Sequence, residues 1–181
     1  MVNDNLAIYL NDHLAGSVVA IELLERLEAA GTYMAPTLAQ VRADIEADRA
    51  ELRELMRRLQ IAESRPRKVT GWIAEKFSQI KLRLDDPAAG PLRLLESLEL
   101  VALGIDGKLA LWRALSAAAE VDPALRIVDY ERLARRAQDQ RQRVEVLRLE
   151  AAKAALAGPA KPIKREGLKI KKPTKKRRAR A

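Results

Sequence analysis

Apolar residues recur every three or four positions through most of this chain, the period of a helix with one face turned inward. Leu6, Leu10, Leu14, Val18, Ile21 and Leu24 make the first such stripe. It predicts a helix over 5–30, with Asn3 or Asp4 to cap its start and Gly31 to stop it. A second stripe, Leu38, Val41, Ile45, Leu52, Leu55 and Leu59, follows Pro36. Proline is favoured in a first helical turn, so a helix is expected over 37–61. The short link between the two implies an antiparallel hairpin.

Val69, Ile73, Phe77, Ile80 and Leu84 predict a shorter helix over 69–84, and Asp85–Pro91 breaks the chain. The stretch after it, LRLLESLELVALGIDGKLALWRAL, is apolar on more than one face, which predicts a buried or doubly packed helix over 92–119. Gly104 and Gly107 lie inside it, each costing roughly 1 kcal/mol relative to Ala, a cost that close helix contact or a local kink would offset. Asp122-Pro123 makes the next break. Asp129 then caps a helix over 130–157, whose narrower stripe is Leu133, Ala137, Val144, Leu147 and Ala151, and Gly158-Pro159 ends it.

Composition agrees with this pattern. Ala, Leu, Arg and Glu are good helix formers, and aromatics make up only 3% of the 181 residues. The absence of cysteine excludes disulfides, thiol catalysis and cysteine zinc sites. No basic region precedes an apolar stretch at the N-terminus, and no apolar run is expected to approach the ~20 residues that span a bilayer. A cytoplasmic location is therefore expected.

The long helices come as two hairpins joined by a connection of about 30 residues, a topology used by ferritin-like proteins. The segments YLNDHLAGS and ALGIDGKLALWRAL resemble stretches of an uncharacterised group of bacterial helical proteins placed with ferritin-like bundles. The resemblance covers roughly residues 5–155. It implies an all-α fold: a ferritin-like four-helix bundle of two helical hairpins with a short crossover helix. It brings no activity with it. The domain is expected over 1–158, with a disordered basic tail over 159–181.

Ferritin-like iron sites use Glu-x-x-His pairs, and this chain has a single histidine, His13, and no such pair. No dinuclear iron site, and neither cofactor nor metal, is therefore expected. Phosphate-binding glycine loops and nucleophile-elbow motifs are also missing. Polar groups nonetheless fall on apolar faces. His13 lies inside the first stripe. Asp48 and Gln140 occupy positions where the heptads of their helices expect apolar residues. Glu99, Asp106 and Arg113, spaced by seven, make a charged edge. Buried charges need partners, here Arg or Lys from a neighbouring helix. His13, Asp48, Glu99, Asp106 and Gln140 thus form a polar pocket for a ligand, or a set of contacts that fixes helix register, or groups at the rim where solvent reaches them.

The net charge of +9 belongs to the end of the chain. Residues 161–181 hold eleven cations and one acid, Glu166, and carry +10. Residues 1–160 hold 23 Lys/Arg and 24 Asp/Glu and carry −1. The cations are Lys161, Lys164, Arg165, Lys169, Lys171, Lys172, Lys175, Lys176, Arg177, Arg178 and Arg180. Low apolar content and high charge predict disorder. Such a tail neutralises phosphates and releases their counterions. With no aromatic to stack on bases it suits duplex backbone or structured RNA, DNA ahead of RNA. An acidic protein or an anionic membrane surface is the other class of partner. The expectation is a non-enzymatic helical bundle that binds nucleic acid nonspecifically through its tail. Its alternatives are a divergent ferritin-like bundle with a metal or small-ligand site, and a helical protein-interaction scaffold.

Overall fold

The computed structural model describes residues 4–64 and 90–157. The short helix expected over 69–84 and the tail over 159–181 lie outside the described residues. Among the described residues the chain is helical and contains no strand. Helix α1 spans Asp4–Ala29, α2 Ala35–Arg58, α3 Gly90–Val121 and α4 Tyr130–Leu156, with a 3-10 turn at Pro123–Leu125. Each long helix starts and stops within three residues of the bounds its stripe predicts.

The ends show why. Gly31 takes a left-handed φ of 67° just past α1, which costs glycine no Cβ clash. Helix α2 ends earlier than its stripe predicts. Gln60 adopts a φ of 57°, the Gln60 N–H donates to Arg57 O at 3.1 Å and the Ile61 N–H donates to Met56 O at 2.9 Å. These are the two bonds of a Schellman motif, and they turn Ile61 back into the core. At the end of α3 the Arg126 side chain donates to Ala119 O and Glu120 O, both at 2.8 Å, satisfying terminal carbonyls that have no partner within the helix. Asp129 accepts from the Arg132 N–H at 2.9 Å and caps α4.

Ion pairs fix the helix directions. Glu28 of α1 meets Arg42 of α2, as an antiparallel hairpin requires. Glu99 and Asp106 of α3 meet Arg148 and Arg141 of α4, so this hairpin is antiparallel too. Asp44, Asp48 and Glu51 of α2 meet Arg143, Arg136 and Arg132 of α4 in descending order. Hence α2 and α4 are antiparallel, and α2 runs parallel to α3. Helix α1 packs against α2 and α3, and α4 against α3 and α2, which closes the four into a ring. The end of α2 and the start of α3 therefore lie at opposite ends of the bundle.

The core is mostly aliphatic. Leu10, Leu24, Leu38, Val41, Leu98, Leu133, Ala137 and Val144 are fully buried, and Trp112 nearly so. Helix α3 has neighbours on two sides, as its broad apolar surface predicts. Gly104 and Gly107 take no part in this. A methyl group at either would meet nothing within 4 Å among the described residues, and α3 runs unbroken past both, so neither close contact with a described helix nor a helix break accounts for them. Helix α1 differs from expectation in another way. Its most apolar 18-residue window has a mean hydropathy of 1.2, so by length and composition it could cross a membrane. The consecutive Asn11, Asp12 and His13, and Glu22, are too few to bring that mean down. In the fold, Leu10, Leu14, Leu23, Leu24 and Leu27 of this helix join the core.

Candidate functional site

Asp48 and Gln140 are two of the three polar residues buried in the described core, the third being Ser97. They meet across the gap between α2 and α4. The Gln140 amide donates from Nε2 to Asp48 Oδ2 at 2.9 Å. The second oxygen of Asp48 accepts from Arg136 Nε at 2.6 Å. Lys108 of α3 reaches in from the third helix and donates both to Asp48 Oδ2 and to Gln140 Oε1. Three helices thus close a four-residue cluster about one carboxylate.

The cluster is built for mutual satisfaction. Asp48 is 2% exposed, and the Lys108 side chain 13%. A carboxylate so buried would be costly alone. Here it accepts from an ammonium, a guanidinium and an amide. Burial pulls the Lys108 ammonium below its ordinary pKa. Arg136 adds to that depression, and Asp48 and Asp44 oppose it. With Asp48 negative and Lys108 and Arg136 positive, the cluster carries one net positive charge. Asp44 and Arg143 pair on one side of it along the seam, and Glu51 and Arg132, at 2.7 Å, on the other. Chemically this arrangement fixes the rotation and height of α2, α3 and α4 relative to one another. Every polar atom of the Gln140 side chain and both oxygens of Asp48 have protein partners, while Arg136 Nη2 is buried against Asp48 Oδ1 as an ion pair without an aligned hydrogen bond.

The other residues expected here lie elsewhere. His13 is half-buried at the opposite end of α1, edge-on to Tyr9 with ring centroids 4.7 Å apart. Burial lowers its pKa, with Asp12 opposing. Its neighbour Asn11 ties down the chain leaving α2: Nδ2 donates to Ala62 O at 3.2 Å and Oδ1 accepts from the Ser64 N–H at 2.7 Å. Glu99 and Asp106 are exposed and pair with Arg148 and Arg141 at 3.6 and 3.2 Å. They form an outer ladder between α3 and α4 and do not approach Asp48. Among the described residues, no three His, Asp or Glu side chains gather where they could share a metal ion.

Lys108 and Arg136 were named by no spacing argument, though an Arg or Lys partner was expected. The signals are faint but present. Lys108 is the only cation in the run from Leu94 to Leu111 of α3, and Arg136 stands one turn before Gln140 on the same side of α4. The eleven tail cations lie outside the described residues.

Comparison with known proteins identifies no relative. No family model matches, and neither a curated protein nor a solved structure matches this chain.

Proposed function

We propose that this protein is a ferritin-like helical bundle that serves as a rigid carrier for a nucleic-acid-binding tail. The ring of antiparallel neighbours, with α2 parallel to α3, supports the ferritin-like reading: two hairpins joined by one long return connection is that topology. The observation that carries the functional reading is the partition of charge, +10 on residues 161–181 against −1 on the rest. The body's arginines are largely spent on internal pairs. Arg42, Arg132, Arg136, Arg141, Arg143 and Arg148 all hold carboxylates. The tail's cations are in large excess over its single acid, so they are the ones free to replace counterions on a polyanion. DNA is favoured over RNA, and contact is with phosphates, so binding is nonspecific in sequence. The closed cluster around Asp48 speaks against the metal-site alternative, since its carboxylate is already neutralised by two cations.

Removing residues 161–181 should abolish binding to duplex DNA while circular dichroism keeps its helical signal. For the full chain, log K against log salt should fall with a slope of about −5 to −9, about −0.9 for each phosphate neutralised. Undiminished binding by the truncated chain would refute the proposal and bring forward the scaffold reading.

A further inference from the structure

The ladder on the outside of the α3–α4 hairpin has a missing rung. Glu99 pairs with Arg148, and one heptad along Asp106 pairs with Arg141. The next heptad step brings Arg113 on α3 and Ala134 on α4. The charge on α3 has switched from acid to base, and α4 supplies a methyl group where a carboxylate would complete the pair. No ion pair or hydrogen bond joins Arg113 to any described residue. At this step the surface opens into a groove of about 260 Å³, lined by Trp112, Arg113 and Ser116 on one side and by Ala134 and Gln138 on the other.

A second observation points to an occupant. Trp112 is 1% exposed, and its indole N–H has no hydrogen-bond partner among the described residues. A buried donor left unpaired costs about 1–3 kcal/mol, and tryptophan is normally buried with its N–H satisfied. Trp112 and Arg113 both line the groove, so a buried donor and an exposed cation, each without a partner among the described residues, are chain neighbours at this step. Glu131 also lines the groove and opposes an anion, but it is paired with Arg135 at 3.5 Å.

We propose that this groove binds a small organic carboxylate with an aromatic or aliphatic body. Its carboxylate takes the place of the missing acid on Arg113, and its apolar part lies over Ala134 and the Trp112 ring. Size and chemistry both select this class. The groove holds few heavy atoms and offers one guanidinium without a partner among the described residues, and Trp112, Tyr130 and Ala134 supply its apolar lining. The site is independent of the tail and of its partner.

The test uses the full-length chain and phenylacetate as probe, read by the indole N–H resonance of Trp112 in a nitrogen–proton spectrum. Replacing the second tryptophan, Trp72→Phe, assigns the two indole peaks. Phenylacetate should shift the Trp112 peak saturably and leave that of Trp72 in place, whereas nonspecific association with the tail's cations would move neither. Phenylacetamide, which has the same shape without the charge, should bind about tenfold more weakly, and Arg113→Gln should cost phenylacetate a similar factor. Ala134→Glu should complete the ladder internally, abolish the shift and raise the melting temperature. The proposal is overturned by a Trp112 peak that does not saturate. It is equally overturned by phenylacetamide binding as well as phenylacetate, or by unchanged affinity in Arg113→Gln or Ala134→Glu.

Discussion

Helix α4 has two neighbours and treats them differently. Toward α3 and the bundle axis it presents Leu133, Ala137, Val144 and Ala151, all buried, with the charged ladder only at the outer rim. Toward α2 it presents Arg132, Arg136 and Arg143, each on an acid. The α3 seam is the more extensive by far, because small alanines let the helices approach and aliphatic burial rewards the approach. Along the α2 seam long polar side chains bridge a thinner contact. The difference separates two jobs that packing alone would merge. Apolar contact is strong but indifferent to sliding, whereas a carboxylate with three fixed donors tolerates one register.

The most severe way to break this comparison is to remove the hub of the polar seam. Asp48→Ala leaves Lys108 buried without its acid and Arg136 without its partner, and should cost about 3–5 kcal/mol in denaturant unfolding. That is comparable to the loss of about 2–5 kcal/mol expected for Leu98→Ala in the apolar seam. Replacing the interior of the cluster with apolar groups (Asp48→Leu, Lys108→Met and Gln140→Leu together) sharpens it. Stability should return to the parental level or exceed it, because no charge is stranded and Arg136, 26% exposed, turns to solvent. The amide spectrum should broaden as α2 and α4 sample alternative registers. A sharp, single-state spectrum from that variant would show that the cluster does not specify register.

A smaller effect is expected on α3. Gly104→Ala and Gly107→Ala should each stabilise the bundle by up to about 1 kcal/mol, since the new methyl meets nothing within 4 Å among the described residues. A loss of stability in either would place an unseen contact on this face.

The smallest effect lies at the rim. Arg148 and Arg141 hold the Glu145 carboxyl down at about 2 from an ordinary 4.5. A depressed carboxylate contributes stability above its unfolded pKa and loses it as pH falls through the folded value, so this contribution fades between about 4.5 and about 2. Carbon-detected titration of Glu145 should show the low midpoint, and Arg148→Gln should move it upward. The exposed site makes the accompanying change in melting temperature slight. A midpoint unmoved by Arg148→Gln would mean that the rim pairs are not formed in solution.

The stripes made the helices legible because helical period and burial have the same cause. Leu133, Ala137, Val144, Leu147 and Ala151 were read from spacing alone, and all are buried. The end of α2 was not legible, since its Schellman turn uses Gln60 where glycine is the usual signal. Of the candidate site, Asp48 and Gln140 could be found as polar residues in apolar heptad positions. Glu99 and Asp106 could not be separated from them, because a helical wheel gives an angle but not the neighbour that fills it. Lys108 was hidden by its own surroundings: a long aliphatic stem ending in charge sits comfortably in an apolar run, and its destination is set by two other helices.

The bonds to Asp48 join residues 60, 88 and 92 positions apart, whereas each hairpin is made of contacts between consecutive helices. Contacts this distant carry the largest loop-closure cost, so they are expected to form late, after the hairpins. Interactions absent from the folding transition state act mainly on the rate of unfolding. The buried cluster is accordingly a determinant of lifetime: with it intact, the two hairpins, once assembled, are slow to come apart, and its loss would hasten their separation while leaving the speed of assembly nearly unchanged.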